Sequence, residues 1–160
     1  MTKIISGFPG IGKSTLYNNT DLKILDSDSS NFSWSSPGVR NKDFPQNYID
    51  HIKENMGKVD IILVSSHDVV REALNDNNID YYIVYPDITL KDEYLKRYKE
   101  RGNDDKFLSF IEKNWESFIN AIEDENNATL IKLHSNEYLS DIIKLFKNIE
   151  GTGLWNEKRL

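Results

Sequence analysis

The chain has no cysteine, so disulfides, thiolate nucleophiles and cysteine-based zinc sites are excluded, and a reducing compartment fits. It also lacks a long apolar run. The N-terminal apolar stretch is only Ile4 and Ile5 before Ser6 and Gly7, too short for a signal peptide, and nothing approaches the roughly 20 apolar residues of a membrane span. A cytoplasmic protein without a membrane partner is the expectation. Net positive charge is missing too: the formal charge is −6, which disfavours stable sequence-independent binding to duplex nucleic acid.

What is present is core material for one domain. The 160 residues are 38% hydrophobic and 29% charged, with Phe, Tyr and Trp making up 11%. That length suits a single compact unit, expected over residues 1–150, followed by a tail at 151–160. Short apolar runs at Lys3 to Ser6, Leu22 to Asp26, Val59 to Val64, Tyr81 to Tyr85 and Thr129 to Leu133 predict five strands. Helical spacing falls between and after them, at Lys13 to Asn19, Pro45 to Met56, Asp68 to Asn75, Leu90 to Arg101, Asp104 to Glu123 and Glu137 to Lys147. Alternating strands and helices predict an α/β fold, a parallel sheet with helices on both faces. The stretch from Ser27 to Phe44, rich in Ser, Asn, Gly and Pro, reads as a long irregular loop.

The densest chemical signal is Gly7-Phe8-Pro9-Gly10-Ile11-Gly12-Lys13-Ser14, which satisfies G-x-x-x-x-G-K-[ST] between a predicted strand and a predicted helix. In such a loop, glycines let successive amides turn inward around phosphates, and the helix start adds positive potential. Gly7, Pro9, Gly10, Ile11, Gly12, Lys13, Ser14 and Thr15 are therefore candidates for holding the phosphates of ATP. Lys13 is placed for the β- and γ-phosphates, the Ser14 hydroxyl for Mg²⁺ and Thr15 for a phosphate oxygen.

The second predicted strand ends in Leu25-Asp26-Ser27-Asp28, at the same sheet end as the loop. Asp26 and Asp28 share a direction if the strand runs on, which suits them to bind or activate a phosphoryl acceptor. An Asx turn explains the same composition without chemistry. Arg97 and Arg101, at i and i+4, are candidates for a helical lid spanning about residues 90–125 that covers the transferring phosphoryl group. A solvated face with a Glu93–Arg97 pair is the plainer alternative. Arg40 and Arg71 are candidates for an acceptor phosphate, and His67 is more simply a structural histidine.

Five segments carry a family resemblance: GFPGIGKST at Gly7 to Thr15, LDSDSS at Leu25 to Ser30, FPQNYIDHI at Phe44 to Ile52, VSSHDVVREAL at Val64 to Leu74 and YLKRYKERG at Tyr94 to Gly102. Together they resemble the nucleoside monophosphate kinase-like P-loop kinases, in particular small adenylate kinase-like enzymes encoded by bacteriophages. The resemblance implies a three-layer P-loop NTPase fold with sheet order 2-3-1-4-5, ATP with Mg²⁺ as phosphoryl donor, and lid arginines matching Arg97 and Arg101. It also implies a (deoxy)nucleoside monophosphate kinase. The chain is shorter than well-studied adenylate kinases and lacks their usual acceptor-site signature, so three functions stay open. They are transfer to a monophosphate, transfer to a hydroxyl of a metabolite or polynucleotide 5′ end with Asp28 as base, and an ATPase or switch without an acceptor.

Overall fold

The computed structural model describes residues 2–18 and 20–144. The expected tail at 151–160 and the last residues of the expected helix from Glu137 to Lys147 lie outside them. The chain runs β1 (Lys3–Gly7), α1 (Lys13–Asn18), β2 (Ile24–Asp26), α2 (Ser30–Ser33), β3 (Trp34–Ser36), β4 (Val39–Arg40), α3 (Gln46–Asn55), β5 (Ile61–Ser65), α4 (Asp68–Asp76), β6 (Tyr82–Pro86), a 3-10 turn (Ile88–Leu90), α5 (Lys91–Glu100), α6 (Asp105–Glu123) and β7 (Thr129–Leu133). Residues 139–144 are again helical.

The fold is α/β, with five strands in the order β2-β5-β1-β6-β7. Every pairing in that sheet is parallel. The labels differ from the expected 2-3-1-4-5 because two further strands, β3 and β4, intervene in the chain and form a separate antiparallel hairpin. That hairpin and the short α2 also correct the reading of Ser27 to Phe44 as an irregular loop. The turn between the hairpin strands uses Gly38 at φ 77°.

Burial explains why β1, β5 and β6 sit inside the sheet. β1 and β5 each bury four residues running, a parallel strand covered on both faces. α6 contributes Ile111, Trp115, Ile119 and Ile122 to the core, the three-and-four spacing its sequence shows. Its start is fixed by Asp104, whose side chain accepts from the Phe107 amide. α5 buries Tyr94 and Tyr98, and Phe8 meets Trp115 edge-on at 5.5 Å, so the segment read as a lid lies against the residues that follow β1.

Candidate functional site

The loop from Phe8 to Gly12 leaves the C-terminal end of β1, and its carbonyls are fastened one after another. The Tyr98 hydroxyl donates to Pro9 O at 2.7 Å, the Arg97 guanidinium to Gly10 O at 2.8 Å, and the Leu139 amide to Ile11 O at 2.8 Å. Lys13 Nζ reaches back across the loop to Gly7 O at 3.2 Å. A trans peptide sets each carbonyl opposite the next residue's N–H. Bracing the carbonyls of Pro9, Gly10 and Ile11 therefore turns the amides of Gly10, Ile11 and Gly12 to the other side of the loop. Among the described residues those three amides donate to no protein acceptor.

Two glycines make this path possible. Gly10 has φ +89°, and a Cβ there would fall 2.8 Å from the Tyr98 ring. At Gly7 a Cβ would fall 2.7 Å from Ile11 Cδ1 and 3.1 Å from Lys13 Cδ, where the lysine stem crosses. Ile11 is fully buried and anchors the loop from below, while Pro9 contributes its carbonyl to the brace. Gly12 O receives the first α1 bond, from the Leu16 amide at 3.1 Å. Ser14 and Thr15 follow on the exposed side of α1.

Lys13 is half-buried, and desolvation holds its pKa below the ordinary 10.5. The charges of Asp26 and then Asp28 oppose that shift, and the nearby Arg101 adds to it. These four side chains thus share one electrostatic neighbourhood at the loop. Asp26 and Asp28 are exposed while Ser27 and Ser29 are buried, so the strand alternation persists past β2. Asp28 also accepts from the Ser30 amide at 2.9 Å, so the Asx turn and the approach to Lys13 coexist in one residue.

The buried serines are what hold this segment. Ser27 Oγ lies 2.9 Å from His51 Nε2, Tyr48 donates its hydroxyl to Ser27 O at 2.6 Å, and the Ser29 amide donates to Ser65 Oγ at 3.2 Å. Sequence reading assigned no role to Tyr48 or His51 of α3, although both lie within the segment FPQNYIDHI. It also missed Tyr98 and Leu139 as loop braces, although Tyr94 and Tyr98 at i and i+4 on a polar helix were a visible clue.

The arginines divide. Arg97 is committed to Gly10 O and to Glu93 at 2.9 Å, and it lies between the rings of Tyr94 and Tyr138 at 4.3 and 4.1 Å. It stands on the carbonyl side of the loop, fastened to Gly10 O. Glu93 is in turn held ionised, its pKa lowered by the Ser135 hydroxyl at 2.6 Å, the Asn136 amide and Arg97. Arg101 donates through Nε to Asn103 at 2.6 Å and leaves the rest of its exposed guanidinium over Tyr98.

Arg71 is buried, bonded to Ser66 O at 3.1 Å and paired with Glu125 at 3.2 Å. Its charge, expected to meet an acceptor phosphate, is here compensated by Glu125. Arg40 lies in the exposed hairpin, 4.2 Å over the Trp34 ring.

No family model and no curated protein matches the chain. Among solved structures, the crystal structure of an uncharacterized protein from Eubacterium ventriosum ATCC 27560 is similar to it, with TM-score 0.50 and 18% identity over 94% of this chain and 98% of that one. At that identity the likeness concerns the fold alone.

No group of three or more His, Asp or Glu side chains able to hold a metal occurs among the described residues. Mg²⁺ asks for less than that, since it keeps several waters and takes one or two protein ligands beside substrate phosphates. The exposed Ser14 hydroxyl at the start of α1 fits such a demand. No helix among the described residues is long and apolar enough to cross a membrane.

Proposed function

We propose that this chain is a P-loop phosphotransferase that moves the γ-phosphoryl group of ATP to a (deoxy)nucleoside monophosphate. The observation that carries the reading is the orientation of the loop: three successive carbonyls fastened, and the three amides opposite them left without a protein acceptor among the described residues, in the turn that leads into Lys13. Such a concave set of N–H groups next to an ammonium is a site for the oxygens of a polyphosphate. The parallel α/β sheet, with the loop at the C-terminal end of its middle strand, supports the P-loop NTPase assignment.

In this reading Gly10, Ile11 and Gly12 amides bind the phosphates, with Gly7, Pro9 and Thr15 completing the cradle. Lys13 and Arg101 neutralise charge on the transferring group, and Arg97 keeps the loop in shape. An acceptor phosphate oxygen forms its bond to the γ-phosphorus as the bond to the β,γ-bridging oxygen breaks, and ADP leaves with that electron pair. Ser14 would hold Mg²⁺, which would supply neutralisation of phosphate charge. Lys13 also gains from its occupant: a polyanion offsets the desolvation that holds down its pKa.

One observation favours a second reading. Two exposed carboxylates, Asp26 and Asp28, stand near Lys13, and a hydroxyl acceptor needs a base whereas an ionised monophosphate does not. A coupled ADP-release assay across ribo- and deoxynucleoside monophosphates, small hydroxyl metabolites and a 5′-hydroxyl oligonucleotide separates the two. Stimulation by a monophosphate is the expected result. Stimulation by nothing in the panel would leave only a nucleotide-dependent ATPase and sink the kinase reading.

A further inference from the structure

A cavity of about 390 Å³ opens between α6 and the C-terminal end of β5, within the size range of small-molecule sites. Its apolar wall comes largely from Phe107, Phe110 and Phe118 of α6, and its polar edge from Ser66 and His67. Phe8 and Pro9, the first residues of the braced loop, close one side. A body seated in the cavity therefore touches the same loop whose amides face the phosphate space. Ser66 follows Ser65, the residue that receives the Ser29 amide, so the cavity also adjoins the segment carrying Asp26 and Asp28.

We propose that this cavity holds the nucleobase of the phosphoryl acceptor, with the acceptor's phosphate remaining outside it toward the loop. The proposal rests on the kinase reading above and assigns a place to that substrate. Three features select a nucleobase. The wall is aromatic, with Phe110 and Phe118 at 5.6 Å and Phe110 left 55% exposed at the lip, which suits stacking on a flat ring.

The polar groups occupy one edge only, and among the described residues the Ser66 hydroxyl and His67 ring have no protein partner, so they remain for the hydrogen-bonding edge of a base. A polyol or sugar acid carries hydroxyls all round and would lose water from most of them against the phenylalanines. Charge decides where the phosphate goes: Arg71 at the cavity is already paired with Glu125, and Asp68 adds a negative group, so no net cation is offered inside. Lys13 and Arg101, which among the described residues form no ion pair, are outside, at the loop.

The test measures equilibrium binding to the full chain by saturation-transfer NMR and calorimetry. The probes are the four deoxynucleosides, their 5′-monophosphates, gluconate and a non-hydrolysable ATP analogue. Deoxynucleosides should bind even without a phosphate, and gluconate should not. Ala121→Trp fills the cavity from an exposed position on α6 and should weaken nucleoside and monophosphate binding about tenfold or more, while analogue affinity stays unchanged. Phe110→Ala should weaken the same ligands several-fold, and Ser66→Ala keeps the cavity open should Ala121→Trp fail to fold.

Nucleosides that do not bind the wild type at millimolar concentration, or whose affinity is the same in Phe110→Ala and Ser66→Ala, overturn the proposal. So does gluconate binding in their place. In each of those cases continued binding of the ATP analogue leaves the kinase reading standing, whereas its failure to bind the wild type removes that reading itself.

Discussion

The loop after β1 and the hairpin after β2 rise from the same end of the sheet and are built in opposite ways. In the loop, carbonyls at Gly7, Pro9, Gly10 and Ile11 each meet a donor, and three of the four donors come from beyond residue 90. In the hairpin every strand residue from Trp34 to Ser36 and from Val39 to Arg40 is exposed, and its best-defined side-chain contact is Arg40 over Trp34. Polyphosphate recognition through amides requires a backbone fixed before the ligand arrives, because amides cannot move independently of one another. In the proposed reading the loop is the donor side and the hairpin a wall toward the acceptor, which has no such requirement. Rigidity is located in the loop, supplied by residues distant in sequence.

The most damaging change to the donor side is Lys13→Ala, which should lower ATP-dependent turnover by about 10²–10³-fold. Circular dichroism should be unchanged. Stability should move the other way from activity. Burial lowers the Lys13 pKa, so between the folded-state pKa and 10.5 the unfolded chain binds more protons than the folded one, and stability from this residue rises with pH across that window. Its unfavourable contribution is fully present below the folded-state pKa and gone above 10.5. Without nucleotide, Lys13→Met should thus melt at or above the wild type at pH 7, with the gap closing as pH approaches 10. Retained turnover in Lys13→Ala, or a wild-type advantage in stability at pH 7, would break the comparison at its strong end.

A second test lies at Asp28, which stands between β2 and the hairpin and acts electrostatically on Lys13. With a monophosphate acceptor, Asp28→Asn should raise the acceptor KM by about tenfold and leave kcat nearly intact, because no proton has to be removed. With a hydroxyl acceptor it should lower kcat by about 10²-fold or more. A kcat effect of that size would move the conclusion to the hydroxyl reading.

Much of this was legible in the sequence, for identifiable reasons. Parallel strands covered on both faces appear as short unbroken apolar runs, so β1, β5, β6 and β7 could be found within a residue or two. The stripe Leu108, Ile111, Trp115, Phe118 and Ile122 pointed to α6, where Ile119 is buried more deeply than Leu108 or Phe118, and the glycines pointed to the loop. α2 and the hairpin left no such trace, since strands of two and three exposed residues carry no alternation to detect. The loop braces were beyond reach for another reason. Tyr98 and Arg97 contact residues 89 and 87 positions earlier, and the third brace is a main-chain amide with no side-chain identity to read.

Arg97→Met isolates the bracing. The substitution keeps an unbranched stem between Tyr94 and Tyr138 but removes the donors to Gly10 O and Glu93. Hydrogen bonds to charged groups contribute about 1.5–3 kcal/mol, so the ATP KM should rise about tenfold while the acceptor KM stays constant. Equal loss in kcat with an unchanged ATP KM would mean that Arg97 touches the transferring group instead, and the division between the two arginines would have to be redrawn.

The smallest effect should come from the open side. Trp34→Ala removes a 42%-exposed ring and its contact with Arg40, so unfolding free energy should change by no more than about 0.5 kcal/mol. Donor kinetics should not change either, because nothing in the hairpin reaches the four carbonyl braces. If the hairpin forms part of the acceptor wall, the acceptor KM alone should rise, by about twofold to fivefold, the range of a single exposed aromatic or cation–π contact. A change in ATP KM of similar size in Trp34→Ala would show that the two regions are coupled, and the rigidity assigned to the loop would then have to be shared with the hairpin.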